Sequence, residues 1–134
     1  MDWLYPIGRI LFSMIFIMSA YGHLAKLGPT SQYTAAKGVP APKAATFLTG
    51  LMILAGGLSV ILGVWMEIGA GLLFLFLVST AFIMHNFWTV QDPAQRQLAQ
   101  VMFMKDLAMA GGALILYWLV QTHGYGPFTL GEPM

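Results

Sequence analysis

Cysteine is absent from the 134-residue chain. That excludes thiol–disulfide chemistry, thiolate-held iron–sulfur clusters and thiolate zinc sites within it. Charge is scarce too: Lys, Arg, Asp and Glu make up 8% of the residues, and the formal net charge is +1. A soluble domain carries roughly 25% charged residues. So few charges cannot furnish a water-facing surface, and the solvent for most of the chain is therefore lipid. A near-zero net charge leaves no electrostatic footprint for nucleic acid. Also missing are a Ser–His–acid spacing, a His-Glu-x-x-His pair and a glycine-rich phosphate loop. No complete catalytic unit is legible, and the chain does not read as an independent enzyme.

What is present is apolar: 58% of the residues are hydrophobic. A spanning helix needs about 20 mainly apolar residues. Four stretches qualify, at about 3–24, 44–65, 67–88 and 98–120. Open sheet edges cannot face hydrocarbon. The expected fold is therefore all-α: one integral membrane four-helix bundle over residues 1–134. The first apolar run follows Asp2, has no basic flank and is not trailed by an Ala-x-Ala cleavage pattern, so it reads as a retained helix.

The connections have their own signals. "GPTSQYTAAKG" (28–38) predicts a short interfacial helix between spans one and two, with Pro29 in the first turn and Gly38 at the stop. "VPAP" (39–42) predicts an extended approach to span two. The connection around Gly63 to Glu67 is short enough to make spans two and three a tight antiparallel hairpin. Asp92 suits an N-cap and Pro93 a first helical position. The tail from Thr122 is too rich in Gly and Pro for regular structure. Lys26, Lys37, Lys43 and Arg96 lie in connections one and three, with Lys105 just inside, while Arg9 alone lies near the other side. That bias predicts connections one and three in the cytoplasm and both termini outside. "LAGGL" (54–58) and "MAGGA" (109–113), with His23 and His85, echo one another. A parallel repeat of two hairpins and simple coincidence both fit that echo.

Small residues must allow helices to approach in lipid. The interior stripes predicted from spacing are Arg9, Ser13, Phe16, Ala20 and His23 on span one. On span two they are Ala55, Ser59 and Gly63 beside Thr49, Gly56 and Gly63. On span four they are Asp106, Ala110, Ala113 and Tyr117.

The polar residues gather at one depth. Span three reaches it with "HNFW" (85–88), span one with Tyr21, His23 and Lys26, span two with Thr46 and Thr49, and span four with Gln100, Lys105 and Asp106. His23, Lys26, His85, Asn86, Lys105 and Asp106 thus converge from three helices. An ionisable residue at mid-helix costs roughly 2.5–3.5 kcal/mol on insertion scales, and less near an end. Asp106 needs a partner. Lys105 adjoins it but points about 100° away around the helix, so His85 or His23 is the better candidate. Trp88 suits an interfacial belt, and polar residues at helix ends are often merely wet. A polar end-chamber and a plain interface are the two readings. Arg9 precedes His23 by fourteen residues, about 21 Å of helix, so it belongs to the opposite end. It is expected to pair with Glu67 or to meet a lipid phosphate. A copper pathway through Met84, His85, Met102 and Met104 lacks a clustered Met-x-x-Met pattern, and no metal site is assigned.

The ordered set "GRILFSMIFIMSAYGHLAKL" (8–27), "YTAAKGVPAP" (33–42), "LAGGLSVILG" (54–63), "FIMHNFW" (82–88), "FMKDLAMAGGALIL" (103–116) and "YGPFTL" (125–130) resembles the DoxX family of small four-helix bacterial membrane proteins over nearly the whole chain. Asp106 stands where relatives often have Asn. The resemblance implies a multi-pass protein of the bacterial inner membrane, embedded in the lipid bilayer with protein partners. Members are linked to a quinone-linked thiosulfate-oxidising enzyme and to a membrane complex with superoxide dismutase and a sulfurtransferase. That is an association, not a mechanism. The leading expectation is a membrane subunit or anchor of an oxidoreductase complex, with quinone as the cofactor held near His85 and Asp106. The alternatives are a binding or transport module for a lipid or other hydrophobic ligand, and a purely structural subunit.

Overall fold

The computed structural model describes residues 2–130. Helix α1 (Leu4–Ala25) is followed, after Lys26 alone, by the short α2 (Leu27–Ala36). Three longer helices come next: α3 (Pro42–Leu62), α4 (Met66–Met84) and α5 (Pro93–His123). A 3₁₀ turn, Phe87–Thr89, joins the last two. Four of these helices, α1, α3, α4 and α5, are long and apolar enough to cross a membrane. At 31 residues, α5 is about 46 Å long. It outreaches a hydrocarbon core of roughly 30 Å.

The helix ends have local causes. Pro42 and Pro93 open α3 and α5, where a missing N–H costs nothing. The Asp92 carboxylate accepts from Gln95 N at 3.0 Å, an N-cap bond. Gly63 ends α3 in the left-handed region at φ 71°. A side chain there would also sit 2.6 Å from Arg9 Nη1. The approach to α3 is not uniformly extended as "VPAP" suggests: Ala41, its N-cap, is left-handed at φ 47°. Helix α4 stops at Met84, short of Trp88. Phe87 and Trp88 instead turn onto Phe103 of α5, each at 5.5 Å between ring centroids. Edge-to-face contacts of this kind compensate for the helical turn given up.

Helix α3 is the hub, packing on α1, α2 and α4, and α4 carries α5 on its other side. The core is Phe16, Ala20, Ile53, Val60, Leu73, Leu77, Ala110 and Ala113. Close approach comes from glycine. A Cβ on Gly56 would lie 2.7 Å from Leu73, and one on Gly50 would lie 2.7 Å from His23 Cβ. The buried stripe of α1 is Arg9, Ser13, Phe16 and Ala20. On α3 the stripe is displaced from the expected one: Ala55 is exposed, while Gly50, Ile53, Gly56, Gly57 and Val60 are buried. On α5 Tyr117 faces outward, and Val120 continues the buried face. Val120 packs with Met66 and Tyr125 instead.

At the Arg9 end the chain closes on itself. Residues 124–130, which follow α5, have no regular structure but fold back beneath the bundle. Leu130 N donates to Leu62 O at 3.1 Å. Tyr125 is buried, accepts from Met66 N at 3.0 Å and donates to a Glu67 carboxylate oxygen at 2.7 Å. Arg9 is buried at 4% exposure. It donates to Val60 O and Ile61 O at 3.3 and 3.4 Å and to Phe128 O. The Tyr5 ring lies 5.0 Å from its guanidinium carbon. The carbonyls of Val60 and Ile61 lie at the negative end of the α3 dipole, where a cation is favoured. The expected Arg9–Glu67 pair is therefore replaced: Glu67 is bonded by Tyr125 and Arg9 by carbonyls. Among the described residues Arg9 Nε and Ser13 Oγ are buried without a hydrogen-bond partner.

Candidate functional site

The opposite end is hollow. A cavity of about 420 Å³ lies among the helices and is lined from all five of them. Its apolar wall includes Ile15, Phe16, Met52, Leu75, Phe76 and Met109. Its polar wall includes His23, Tyr33, Thr34, Thr46, His85 and Asp106. A shallower groove of about 280 Å³ between α1 and α5 is lined mostly by apolar side chains, with Arg9 and Tyr5 at its edge.

His85 caps the C-terminus of α4, and its backbone N–H reaches Thr80 O at 3.2 Å. Leaving the helix there frees the ring to meet α5. His85 Nδ1 lies 2.6 Å from Asp106 Oδ2, within hydrogen-bond distance. Asp106 is buried at 5% exposure, three residues beyond Phe103 on the same face of α5. A buried carboxylate without a partner would cost several kcal/mol, and a short charge-assisted hydrogen bond offsets that. The Asp106–His85 contact thus ties α5 to the end of α4 where neither helix can supply the partner alone.

His23 is half-buried on the last turn of α1. Its Nδ1 donates to Ser19 O, one turn back, at 2.8 Å. The ring stands edge-on to Phe76 at 6.0 Å. Both histidines line the cavity. Lys105 lies on its exposed rim. Asn86 does not line it; its side-chain oxygen accepts from Lys37 Nζ at 3.4 Å. Lys26 is exposed and also outside the lining. The spacing of sequence motifs thus places His23, His85, Lys105 and Asp106 around one space and leaves Asn86 beside it.

The wall supplied by α2 is the part the sequence reading missed. Tyr33 donates to Met84 O at 3.5 Å, and the hydroxyl of Thr46 donates to that of Thr34 at 2.9 Å. Partial burial raises the Tyr33 phenol above its ordinary pKa, and the nearby Asp106 charge adds to the shift. A usable signal existed: "TSQYTAA" carries too many hydroxyls for a helix that merely connects two spans. No group of three or more His, Asp or Glu side chains among the described residues could hold a metal ion.

The DoxX family profile matches residues 4–86, from the start of α1 to just beyond His85. The inner membrane protein YqjF of Escherichia coli K12 is 32% identical over 113 residues, covering 82% of this chain and 78% of the relative. The inner membrane protein YphA of the same organism is 28% identical over 110 residues, with the same two coverages of 82% and 78%. No solved structure matches.

Proposed function

The chain belongs to the DoxX family and is a multi-pass inner-membrane protein; from that premise we propose that it is a membrane subunit or anchor of an oxidoreductase complex, and that its cavity receives a quinone-class ligand. The observation that carries the ligand half is the His85–Asp106 pair at the polar wall of an otherwise largely apolar space of about 420 Å³. Small-molecule sites typically measure about 300–1,000 Å³, are mainly apolar, and hold a few placed polar groups. A quinone ring has that character: a flat apolar body with oxygens that need hydrogen-bonding partners. Lys26, Lys37, Lys43 and Arg96 gather near the cavity end. This supports placing that end at the cytoplasmic face with both termini outside. Protection of the carboxy-terminus in right-side-out vesicles would reverse the orientation.

The partner half is supported by the family association with oxidoreductases. Purification from native membranes in mild detergent, followed by mass spectrometry of proteins and extracted lipids, tests both halves. Co-recovery of redox proteins and a quinone-class molecule is expected. Consistent recovery of the folded chain alone and ligand-free sinks the reading. Recovery with a different lipid in the cavity would favour the second reading, a binding module for amphipathic lipids, for which the largely apolar wall speaks equally. A purely structural subunit would retain its partners and function with His85→Ala and Asp106→Asn combined.

A further inference from the structure

Four threonine hydroxyls around the cavity are engaged within the chain. Thr30 donates to Gly22 O at 2.9 Å, Thr34 to Thr30 O at 3.1 Å, Thr46 to Thr34 Oγ1 at 2.9 Å and Thr49 to Ala45 O at 2.7 Å. Three other hydroxyls are not. Ser19 on α1 and Ser79 and Thr80 on α4 line the same cavity, and their hydroxyls bond nothing among the described residues. A helical Ser or Thr can turn its hydroxyl onto a carbonyl one turn back, as Thr34, Thr49 and Thr122 do. Ser19, Ser79 and Thr80 have that option and do not take it. Their depth is shared as well. Helices α1 and α4 both reach the cavity end with their C-termini, at His23 and His85. Ser19 precedes His23 by four residues, and Ser79 and Thr80 precede His85 by six and five. That places them about 6–9 Å nearer the middle of the bilayer. The lining around them is otherwise apolar, with Phe16, Leu75, Phe76, Leu77 and Met109. A polar group in such surroundings is costly until something bonds it.

We infer that Ser19, Ser79 and Thr80 are a second, deeper foothold of the cavity, and that its ligand is a ring with oxygens on opposite sides. One oxygen is held at the His85–Asp106 level and the other at these hydroxyls. The inference rests on the quinone-class reading and assigns the residues that take the second oxygen. The two oxygens of a 1,4-dioxygenated ring stand across the ring from each other, and each reaches about 3 Å further through a hydrogen bond. A ring set along the bundle axis therefore bridges two polar levels with an apolar belt between them. A hydroxyl both donates and accepts, so the deeper foothold takes a carbonyl or a hydroxyl oxygen alike. A site that bonds a ligand oxygen rejects the analogue lacking it, because its own groups are left unpaired.

The test uses the full chain in nanodiscs and two tail-less probes of similar shape. One is a methyl-substituted 1,4-benzoquinone. The other is the matching cyclohexadienone, in which a dimethylated carbon replaces one carbonyl. Isothermal titration against empty-nanodisc controls gives both affinities. The quinone is expected to bind about fivefold more tightly than the dienone. Combining Ser19→Ala, Ser79→Ala and Thr80→Val should bring the quinone down to the dienone's affinity and leave the dienone unchanged, so dienone binding also reports that the variant is folded. Should the triple variant fail to fold, Ser79→Ala alone, at an exposed position of α4, should narrow the ratio. Equal binding of the two probes to the wild-type chain overturns the inference and leaves the quinone-class reading standing. A ratio that survives in the folded triple variant, or unchanged in Ser79→Ala where that variant stands in for it, does the same. If neither probe binds, the quinone-class reading falls and the inference falls with it.

Discussion

The two ends of the bundle bury polar groups in opposite ways. At the Arg9 end, a cation, a tyrosine and a glutamate lean on the chain's own backbone and on one another: Arg9 on three carbonyls, Tyr125 on Met66 N and Glu67. At the His85 end the polar groups are satisfied on one side only. Nδ1 of each histidine is held, and both histidines line a cavity of about 420 Å³. The difference separates polar residues that hold a fold from polar residues that await something. Burial alone does not distinguish them, since Arg9 and Asp106 are buried to nearly the same degree, at 4% and 5% exposure. What distinguishes them is their partners and surroundings: Arg9 is bonded to backbone carbonyls in a packed end, with its Nε left unpartnered, whereas Asp106 is bonded to the His85 side chain at the wall of a cavity.

Substitutions can break that contrast. Arg9→Met should have the largest effect on stability, a loss of about 2–4 kcal/mol, because it strips the cation from the end of α3 and releases the tail at Phe128. The midpoint of unfolding in mixed detergent micelles reads this, and limited proteolysis after α5 should quicken. An unchanged midpoint would mean that the Arg9 end is not held together by its polar contacts. Tyr125→Phe keeps the ring and removes the hydroxyl that bridges Met66 N and Glu67, and should cost about 1–2 kcal/mol in the same assay. Asp106→Asn leaves an oxygen able to accept from His85 and should shift stability by less than about 1 kcal/mol, while weakening quinone-class binding about tenfold in titrations. A large loss of stability there would move the His85 end into the architectural category. Thr49→Leu is the finest cut. Its hydroxyl bonds only carbonyls of its own helix, so filling the cavity with that side chain should change stability by no more than about 0.5 kcal/mol. Ligand binding should nevertheless be lost.

Much of the fold was legible because membrane spans are written in length and apolarity, and α1 shows its interior face through Arg9, Ser13, Phe16 and Ala20 at helical spacing. The convergence of His23, His85, Lys105 and Asp106 was legible because residues near the same ends of antiparallel spans share a depth. Other features were not, for physical reasons. Arg9 drew an expected acidic partner because Glu67 is a visible letter at the right depth. Its real partners are backbone carbonyls of Val60, Ile61 and Phe128, which no residue type announces. Asn86 was grouped with His85 on the assumption of a continuous helix. The chain leaves the helix at Met84 instead, and Phe87 and Trp88 are drawn toward Phe103. Ala55 and Tyr117 were misplaced by about one position around their helices. In lipid the small residues Gly56 and Gly57, not the apolar pattern, decide which face turns inward.

The clasp at the Arg9 end also sets an order of events in biosynthesis. Phe128 lies 119 residues beyond Arg9 in the chain. At a synthesis rate of about 5–20 residues per second, Arg9 spends roughly 6–24 s in the growing chain before that carbonyl exists. During this interval its guanidinium has the end of α3 at most, and no tail. Helices α1, α3 and α4 can enter the bilayer in that time, but α5 runs to His123, so the last spanning helix and the tail that latches Arg9 arrive nearly together. Docking of α5 and closure of the Arg9 clasp are therefore close to a single event at the end of synthesis.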